Sequence, residues 1–343
     1  MRNIPLPFIS RRRLLARWML TTLPLGAGLL GSARAHAAAY PSRPIRLIVP
    51  FSTGATADIV ARLLAERLHA SFGQPVVVEN KSGAGGVIGA DAVAKAPADG
   101  YTLLLTTSST VVINPSLYKK LPYDVARDLA PVAQLGSLPA LLVATPSLPV
   151  RNVAELVAYV RKNPGKLTYA SNGLGSYAHV MMELLKHSTG MEIEHVPYRG
   201  GSQADSDLLA GNVHLMFNSL AAAAQLVAAG RLKGLAVSSA QRSPFAPGIA
   251  GMGESGLAEL KDYDVSYWVG LMAPAATPAA IVHSLNTEAN AWLRTDQARE
   301  RLSARKIVAA PSTSPEDMKD QIRAEMAYWA KVLKDSKVEL QSY

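Results

Sequence analysis

Short apolar segments recur along the chain, and helical patterns separate them. Apolar positions alternate over residues 45–49 as in a strand, and from residue 59 to 64 they recur at helical spacing. Further strand segments are predicted at 76–78, 101–106, 140–144, 167–170, 213–217, 235–238 and 267–272. Further helices are predicted at 87–95, 153–163, 177–188, 204–210, 221–229, 278–293, 297–304 and 315–333. Apolar strands that alternate with helices are typical of mostly parallel sheets covered by helices on both faces.

Two clusters of strand–helix units, followed by a helical tail, predict an α/β protein with two lobes. We expect residues 38–139 and 261–343 to form the first lobe, and residues 140–260 to form the second. The tail has too few strands for a third lobe, so it is expected to pack on the first. The chain then crosses twice between the lobes, which permits hinge motion around a ligand in the cleft.

The first 37 residues have the features of an export signal. Three arginines at 11–13 precede an apolar stretch at 18–30, and Ala35-His36-Ala37 fits a small-residue cleavage site. Residues 10–15 also resemble a twin-arginine signal. The alternative is a membrane anchor, but the uncharged stretch is short of the roughly 20 residues that a spanning helix needs. We therefore expect cleavage near Ala37 and a periplasmic location.

Charge and cysteine content exclude several classes of function. The net charge is +9, but the first 37 residues contain six arginines and no lysine or acidic residue, which leaves +3 for the rest. A mildly basic body with 6% aromatic residues is a poor candidate for nucleic-acid binding. The chain has no cysteine, so disulfides, thiol catalysis and cysteine metal sites are excluded.

Two loops that follow predicted strands could bind an anion. Residues 52–56 and 171–176 are small or polar, and each loop opens a helix. The first amides of a helix lack intrahelical partners and lie at the positive end of its dipole, and glycine lets the backbone approach a ligand. One such loop is explained equally well as a capped helix start. Two loops at the carboxyl ends of strands predict an anionic small molecule held by amides and hydroxyls.

Other polar residues at predicted strand ends give few signs of catalysis. Asp58 lies in a first helical turn, where a carboxylate favours the helix dipole, so we interpret it as structural. His179 and Glu183 are four residues apart, but no third ligand accompanies them, so no metal or cofactor is expected. An exported hydrolase or lyase with His179 or Asp58 as base is the enzymatic alternative, although no nucleophile accompanies either. The glycine pattern at 251–256 matches a dinucleotide fingerprint but follows a proline-rich linker instead of a strand.

Six sequence motifs occur in a fixed order along the chain after the leader. They are YPSRPIRLIVPF at 40–51, DIVAR at 58–62, VENKSGAGG at 78–86, ADGYTLL at 98–104, VPYRGG at 196–201 and DLLAG at 207–211. These motifs resemble those of the Bug-type receptors, the substrate-binding proteins of tripartite tricarboxylate transporters. The resemblance covers essentially all of the chain after the leader.

The resemblance implies a two-lobed periplasmic binding protein of type II fold, without catalysis, that closes on a small carboxylate and delivers it to a membrane permease. A membrane sensor kinase is an alternative partner, and a monomer is expected. The first loop of the family usually carries Pro-Gly-Gly, of which Gly54 is kept here, and Asp is common where this chain has Asn218. The candidate ligand-binding residues are Phe51, Ser52, Thr53, Gly54, Ala55, Thr56, Ser108, Ser171, Asn172, Gly175, Ser176, His179, Tyr198, Arg199 and Asn218.

Overall fold

Ten strands and eleven helices are found in the computed structural model, which describes residues 40–173, 175–198, 201–335 and 342. The predicted export signal and Arg199 lie outside the described residues. The strands are β1 (Ile45–Val49), β2 (Val76–Asn80), β3 (Thr102–Thr107), β4 (Leu129–Ala144), β5 (Thr168–Ser171), β6 (Glu194–Pro197), β7 (Leu215–Ser219), β8 (Lys233–Val237), β9 (Ser266–Pro274) and β10 (Val308–Ala309).

The helices cover the sheet and include all eight further helices predicted from the sequence. They are α1 (Thr56–Phe72), α2 (Val87–Ala94), α3 (Asn114–Leu117), α4 (Val125–Asp128), α5 (Val153–Lys162), α6 (Tyr177–Thr189), α7 (Gly201–Ala210), α8 (Leu220–Ala228), α9 (Ala279–Leu293), α10 (Asp296–Ser303) and α11 (Pro315–Asp335). In the described part of the chain, no helix has both the length and the apolar character needed to cross a membrane.

The strands pair in the order β2-β1-β3-β9-β4-β7-β5-β6, with β8 and β10 also paired to β4. Among the described residues, β1 pairs in parallel with β2 and β3, and β5 pairs in parallel with β6 and β7. The antiparallel pairings all involve β4 or β9. Parallel pairs thus occur in both strand–helix clusters, as the alternation of strands and helices predicts. The sheet is less parallel than expected, because β4 and β9 run antiparallel to their neighbours inside the clusters as well as between them.

Strand β4 connects the two halves of the sheet. Its residues 129–139 pair with β9, and its residues 140–144 pair with β7 and β8. Only 140–144 were predicted as strand, because Pro131, Gly136 and Pro139 interrupt the pattern before them. The pairing with β9 shifts register near Pro131 and again near Gly136, which lets the strand continue past residues that usually end one.

The described residues from Tyr40 onward cluster as one compact unit, and β4 joins its two halves because it pairs with strands of both. The division into lobes at 139/140 and 260/261 stays a prediction. Buried side chains form three apolar clusters, one between β1 and α1, one between β7 and α8, and a larger one that contacts both halves. Each cluster packs against strands whose ends face a cavity at the centre of the sheet.

Candidate ligand-binding site

A cavity of about 690 Å³ lies where the strand ends of both halves meet. This volume is within the usual range for small-molecule sites. Its lining comes from the loops after β1, β2, β3, β5 and β7 with the helices that follow them, from the crossing point of β4, from the start of β9 and from the turn after α10. The lining residues are Phe51, Thr56, Gly85, Ser109, Asn114, Leu117, Tyr118, Leu138, Pro139, Ala140, Asn172, Gly175, Ser176, Tyr177, Ala178, Met181, Phe217, Asn218, Ser219, Leu220, Ala221, Tyr267, Arg305 and Lys306.

The loop after β1 contributes its two ends to the cavity. Phe51 and Thr56 line it, whereas the candidates between them, Ser52, Thr53, Gly54 and Ala55, lie outside the lining. The amide of Gly54 donates to Oδ2 of Asp58 at 2.9 Å, and the amide of Ala55 donates to the carbonyl of Ser52 at 3.1 Å. These two amides therefore donate to acceptors within the protein and are not available to a ligand. The cavity meets instead the start of α1, whose N-cap, Ala55, provides no side-chain cap.

Asp58 stabilises this loop. Its buried carboxylate accepts hydrogen bonds from Gly54, Arg62 and Asn80 at 2.9–3.1 Å. Burial disfavours the charged form of Asp58, but these hydrogen bonds outweigh it and lower the pKa of its carboxyl. The geometry agrees with the interpretation of Asp58 as a structural residue.

The loop after β5, in the other half of the sheet, has the same hydrogen-bonding arrangement as the loop after β1. Gly175 has a φ of +71° and Gly54 a φ of +84°, and in each case the glycine amide donates to a side chain four residues later in the next helix. For Gly175 the acceptor is Nδ1 of His179, at 3.0 Å. Ser176 caps α6 by accepting the amide of His179 at 3.4 Å. In both loops, the glycine is held in a left-handed conformation that favours residues without a Cβ.

The free amides at this loop belong to the first residues of α6. Tyr177 and Ala178 line the cavity, and their amides donate to no acceptor in the described chain. Among the other candidates of this loop, Asn172, Gly175 and Ser176 line the cavity too, whereas Ser171 does not. The oxygen of Ser171 contacts Nε2 of His195 at 2.7 Å and accepts the amide of Gly173 at 3.2 Å. Ser171 thus stabilises the loop through hydrogen bonds on the side away from the cavity lining.

His179 is a support for the loop and lies outside the cavity lining. It is buried, and its ring stacks on the ring of His195 with the centroids 4.2 Å apart. Burial lowers the pKa of His179. Burial also lowers the pKa of His195, to about 3, with smaller contributions from His179 and Lys186. Both rings are therefore neutral at pH 7, which lets Nδ1 of His179 accept the amide of Gly175.

A third helix, α8, also begins at the cavity, and the sequence interpretation missed it. Ser219, Leu220 and Ala221 line the cavity, and the oxygen of Ser219 accepts the amide of Ala222 at 3.4 Å. The amides of Leu220 and Ala221 have no acceptor among the described residues. The signal was present, because an apolar strand followed by Asn218-Ser219 and a helix repeats the pattern of the other two loops.

The candidate residue Asn218 lines the cavity, and its role as a ligand contact stays a prediction. Its side-chain nitrogen donates to Oδ1 of Asp205, and its side-chain oxygen accepts the amide of Ser219 at 2.7 Å. Burial raises the pKa of Asp205. An aspartate in place of Asn218 would put two carboxylates in contact, so the amide suits this neighbourhood.

Two more candidates point elsewhere. Ser108 is buried, accepts the amide of Trp268 at 3.3 Å and lines a separate cavity of about 230 Å³. Tyr198 donates to Asp207 at 2.7 Å, and burial, together with that carboxylate, raises the pKa of Tyr198 to about 12. Neither lines the larger cavity, and their roles as ligand contacts stay predictions.

The walls of the cavity are aromatic and apolar, and its charges are positive. Tyr177 and Tyr267 meet edge to face with their centroids 5.1 Å apart, and burial raises the pKa of Tyr267 to about 12. Arg305 and Lys306 are the ionic side chains in the described lining, which contains no aspartate, glutamate or histidine. Among the described residues, no three or more histidine, cysteine, aspartate or glutamate side chains are grouped so that they could hold a metal ion. The sequence offered no local signal for Tyr267, Arg305 or Lys306, because the fold alone brings them to the cavity.

Comparison with known proteins identifies the family. Residues 60–338 match the model of the tripartite tricarboxylate transporter family receptor. The chain belongs to this family.

Relatives agree over nearly the whole chain. BugT of Bordetella pertussis is 39% identical over 310 residues, which cover 90% of this chain and 94% of BugT. Rpa4515 of R. palustris, solved with adipate, has a TM-score of 0.76 and 40% identity, covering 87% of this chain and 99% of its own. MatC (Rpa3494) of Rhodopseudomonas palustris, solved with malate, has a TM-score of 0.72 and 30% identity, covering 86% of this chain and all of its own. This family receptor therefore has the two-lobed fold of the periplasmic binding proteins.

Proposed function

We propose that this protein is an exported receptor that binds a small carboxylate in the 690 Å³ cavity and delivers it to a membrane permease. The observation that carries the proposal is the electrostatics of the described lining. Three helices, α1, α6 and α8, begin at this cavity, two basic side chains line it, and no acidic side chain does. Helix N-termini and arginine both favour bound anions.

The aromatic and apolar walls favour an organic anion over an inorganic one. Phe51, Tyr177, Phe217 and Tyr267 can contact the carbon skeleton, while the helix N-termini receive its carboxylate. Relatives at 40% and 30% identity were solved with adipate and with malate, which are both carboxylates. We extend that class of ligand to this chain.

Closure of the two lobes would couple binding to delivery. Amides of α1 come from one side of the β4 crossing, and amides of α6 and α8 come from the other. A ligand that contacts both sides stabilises the closed state relative to the open one, which is what a ligand-driven closure requires. The candidate bases of the enzymatic alternative, His179 and Asp58, lie outside the lining and already accept hydrogen bonds.

The proposal is tested by ligand binding to the mature protein. Melting temperatures and isothermal titration calorimetry with succinate, malate, adipate and benzoate should reveal at least one carboxylate that binds. Its neutral amide counterpart, such as adipamide for adipate, should not bind. If no carboxylate in the panel raises the melting temperature or gives binding heat, the proposed function is wrong.

A matched pair of variants ties binding to the helix N-terminus. Ala221 and Ala222 are both exposed in the first turn of α8, and only Ala221 lines the cavity. Aspartate at either position suits the helix dipole. Ala221→Asp should weaken carboxylate binding at least tenfold through repulsion, and Ala222→Asp should weaken it less than threefold. Equal effects of the two variants would place the ligand elsewhere.

A further inference from the structure

The two basic side chains of the cavity come from one turn that joins α10 to β10. Arg305 is exposed, Lys306 is half-buried, and both line the cavity. Within the described part of the chain, neither side chain forms an ion pair with a carboxylate, although thirteen other ion pairs of lysine or arginine are present there. Two cations without an acidic partner thus face a cavity whose described lining has no acidic side chain.

Lys306 occupies a backbone position that usually belongs to glycine. Its amide donates to the carbonyl of Ser303 at 2.8 Å, and the amide of Ile307 donates to the carbonyl of Leu302 at 3.1 Å. These are the two bonds of a Schellman motif, with Lys306 at the left-handed position and a φ of +58°. A residue with a Cβ is disfavoured there relative to glycine. Lysine thus occupies this position at a local conformational cost, and its side chain lines the cavity.

The ammonium of Lys306 lies 5.3 Å from the ring centroid of Phe245, in a cation–π contact. Phe245 is outside the cavity lining, so this contact holds the lysine side chain without supplying an anionic partner inside the cavity. The following strand, β10, pairs with Ser137 and Gly136 of β4, and the next two residues of β4, Leu138 and Pro139, line the cavity. The turn is therefore attached to the strand that crosses between the two halves, beside the place where a ligand would sit.

We propose that Arg305 and Lys306 form a second anion-binding element of the cavity and select ligands with two anionic groups over ligands with one. This inference rests on the proposed function, because the first carboxylate binds at the helix N-termini. The second carboxylate pairs with the guanidinium of Arg305 and the ammonium of Lys306. A monocarboxylate of the same length leaves these cations without a partner in the cavity and binds more weakly.

The test compares acids that differ in one carboxylate only. Calorimetric dissociation constants are measured for succinate with butanoate, adipate with hexanoate, and terephthalate with benzoate. For the diacid that binds the wild-type protein most tightly, we expect at least a tenfold preference over its monoacid. Arg305→Gln and Lys306→Gly should each reduce that preference at least threefold and change the affinity for the monoacid less than twofold.

The variants also separate recognition from stability. Lys306→Gly relieves the left-handed backbone, so it should raise the melting temperature while it weakens diacid binding, a combination that general damage to the fold cannot produce. Arg231→Gln removes an exposed charge outside the cavity lining and should leave the preference unchanged. If both test variants keep the wild-type preference, or if the wild-type protein binds diacid and monoacid equally, the inference is wrong and the proposed function stands. If neither acid of any pair binds, both are wrong.

Discussion

Individual polar residues beside the cavity mainly hold its loops in place. Asp58 and His179 each accept the amide of a glycine four residues earlier, and Ser171 joins His195 to the amide of Gly173. The sequence showed which loops could bind an anion, because a strand, a small-residue loop and a helix are local features. The sequence did not show which amides of these loops already donate hydrogen bonds within the protein. The recurring spacing from glycine to an acceptor four residues later, in both loops, is a signal that could have shown it.

The buried histidine pair predicts a loss of stability in acid. The folded protein lowers the pKa of His179 and lowers the pKa of His195 to about 3, whereas both have a pKa of about 6.5 in the unfolded chain. At a pH between the folded and unfolded pKa values, the unfolded chain therefore binds more protons than the folded protein does. The stability is present above pH 6.5 and is lost as the pH falls below it. The loss is at most about 1.4 kcal/mol per pH unit for each histidine. The histidine pair is surrounded by Glu183, Lys186 and Tyr169, whose charges and contacts change the size of this stability loss.

Urea unfolding at pH 7.5 and pH 5.0 measures this loss directly. His195→Gln should reduce the difference in unfolding free energy between the two pH values, because the glutamine does not titrate. His283→Gln, at an exposed site on α9, should leave the difference as in the wild type. The prediction fails if both variants show the wild-type difference.

At the scale of the element, the loop that leads into α6 packs directly against α3 at the cavity. A Cβ added to Gly175 would lie 2.0 Å from Cδ2 of Leu117, and the φ of +71° is itself unfavourable for alanine. Gly190, at the other end of α6, has a similar φ of +68° and no atom within 4 Å of an added Cβ. The two glycines therefore separate backbone strain from steric contact.

Gly175→Ala should destabilise the protein more than Gly190→Ala does. Backbone strain alone predicts a cost of about 1–2 kcal/mol for the control, and overpacking against Leu117 adds about 1–3 kcal/mol for Gly175→Ala. The free energy of unfolding in urea gives both values. In a Leu117→Ala background the extra cost of Gly175→Ala should largely disappear. An unchanged extra cost in that background would show that Leu117 is not its cause.

At the scale of the whole molecule, the connection between the two halves was the part least predictable from sequence. The alternation of strands and helices predicted the α/β class and nearly all helices, because these patterns are local. The long strand β4 was predicted only over its last five residues, since prolines and a glycine interrupt the rest. Pairing with β9, more than 100 residues away, keeps residues 129–139 extended, and no local pattern encodes such a partner.

Ser238 joins the crossing region of β4 to the residue that precedes β9. Its buried hydroxyl accepts the amide of Ala140 at 2.8 Å and donates to the carbonyl of Val265 at 2.6 Å. Ser238→Ala leaves both buried groups without this partner and should cost about 1–3 kcal/mol in the free energy of unfolding. Ser239→Ala removes a hydroxyl bound to a single exposed carbonyl and should cost less than about 0.5 kcal/mol. Similar costs for the two variants would contradict this role of Ser238.

The most direct test of the account is a crystal structure with the carboxylate that raises the melting temperature most. We predict that one carboxylate of that ligand accepts hydrogen bonds, within about 3.2 Å, from first-turn amides of α6 and α8, namely Tyr177, Ala178, Leu220 or Ala221. The ligand should fill the space between Phe51 and Tyr267. A carboxylate bound away from all helix N-termini, or held outside this cavity, would contradict the account.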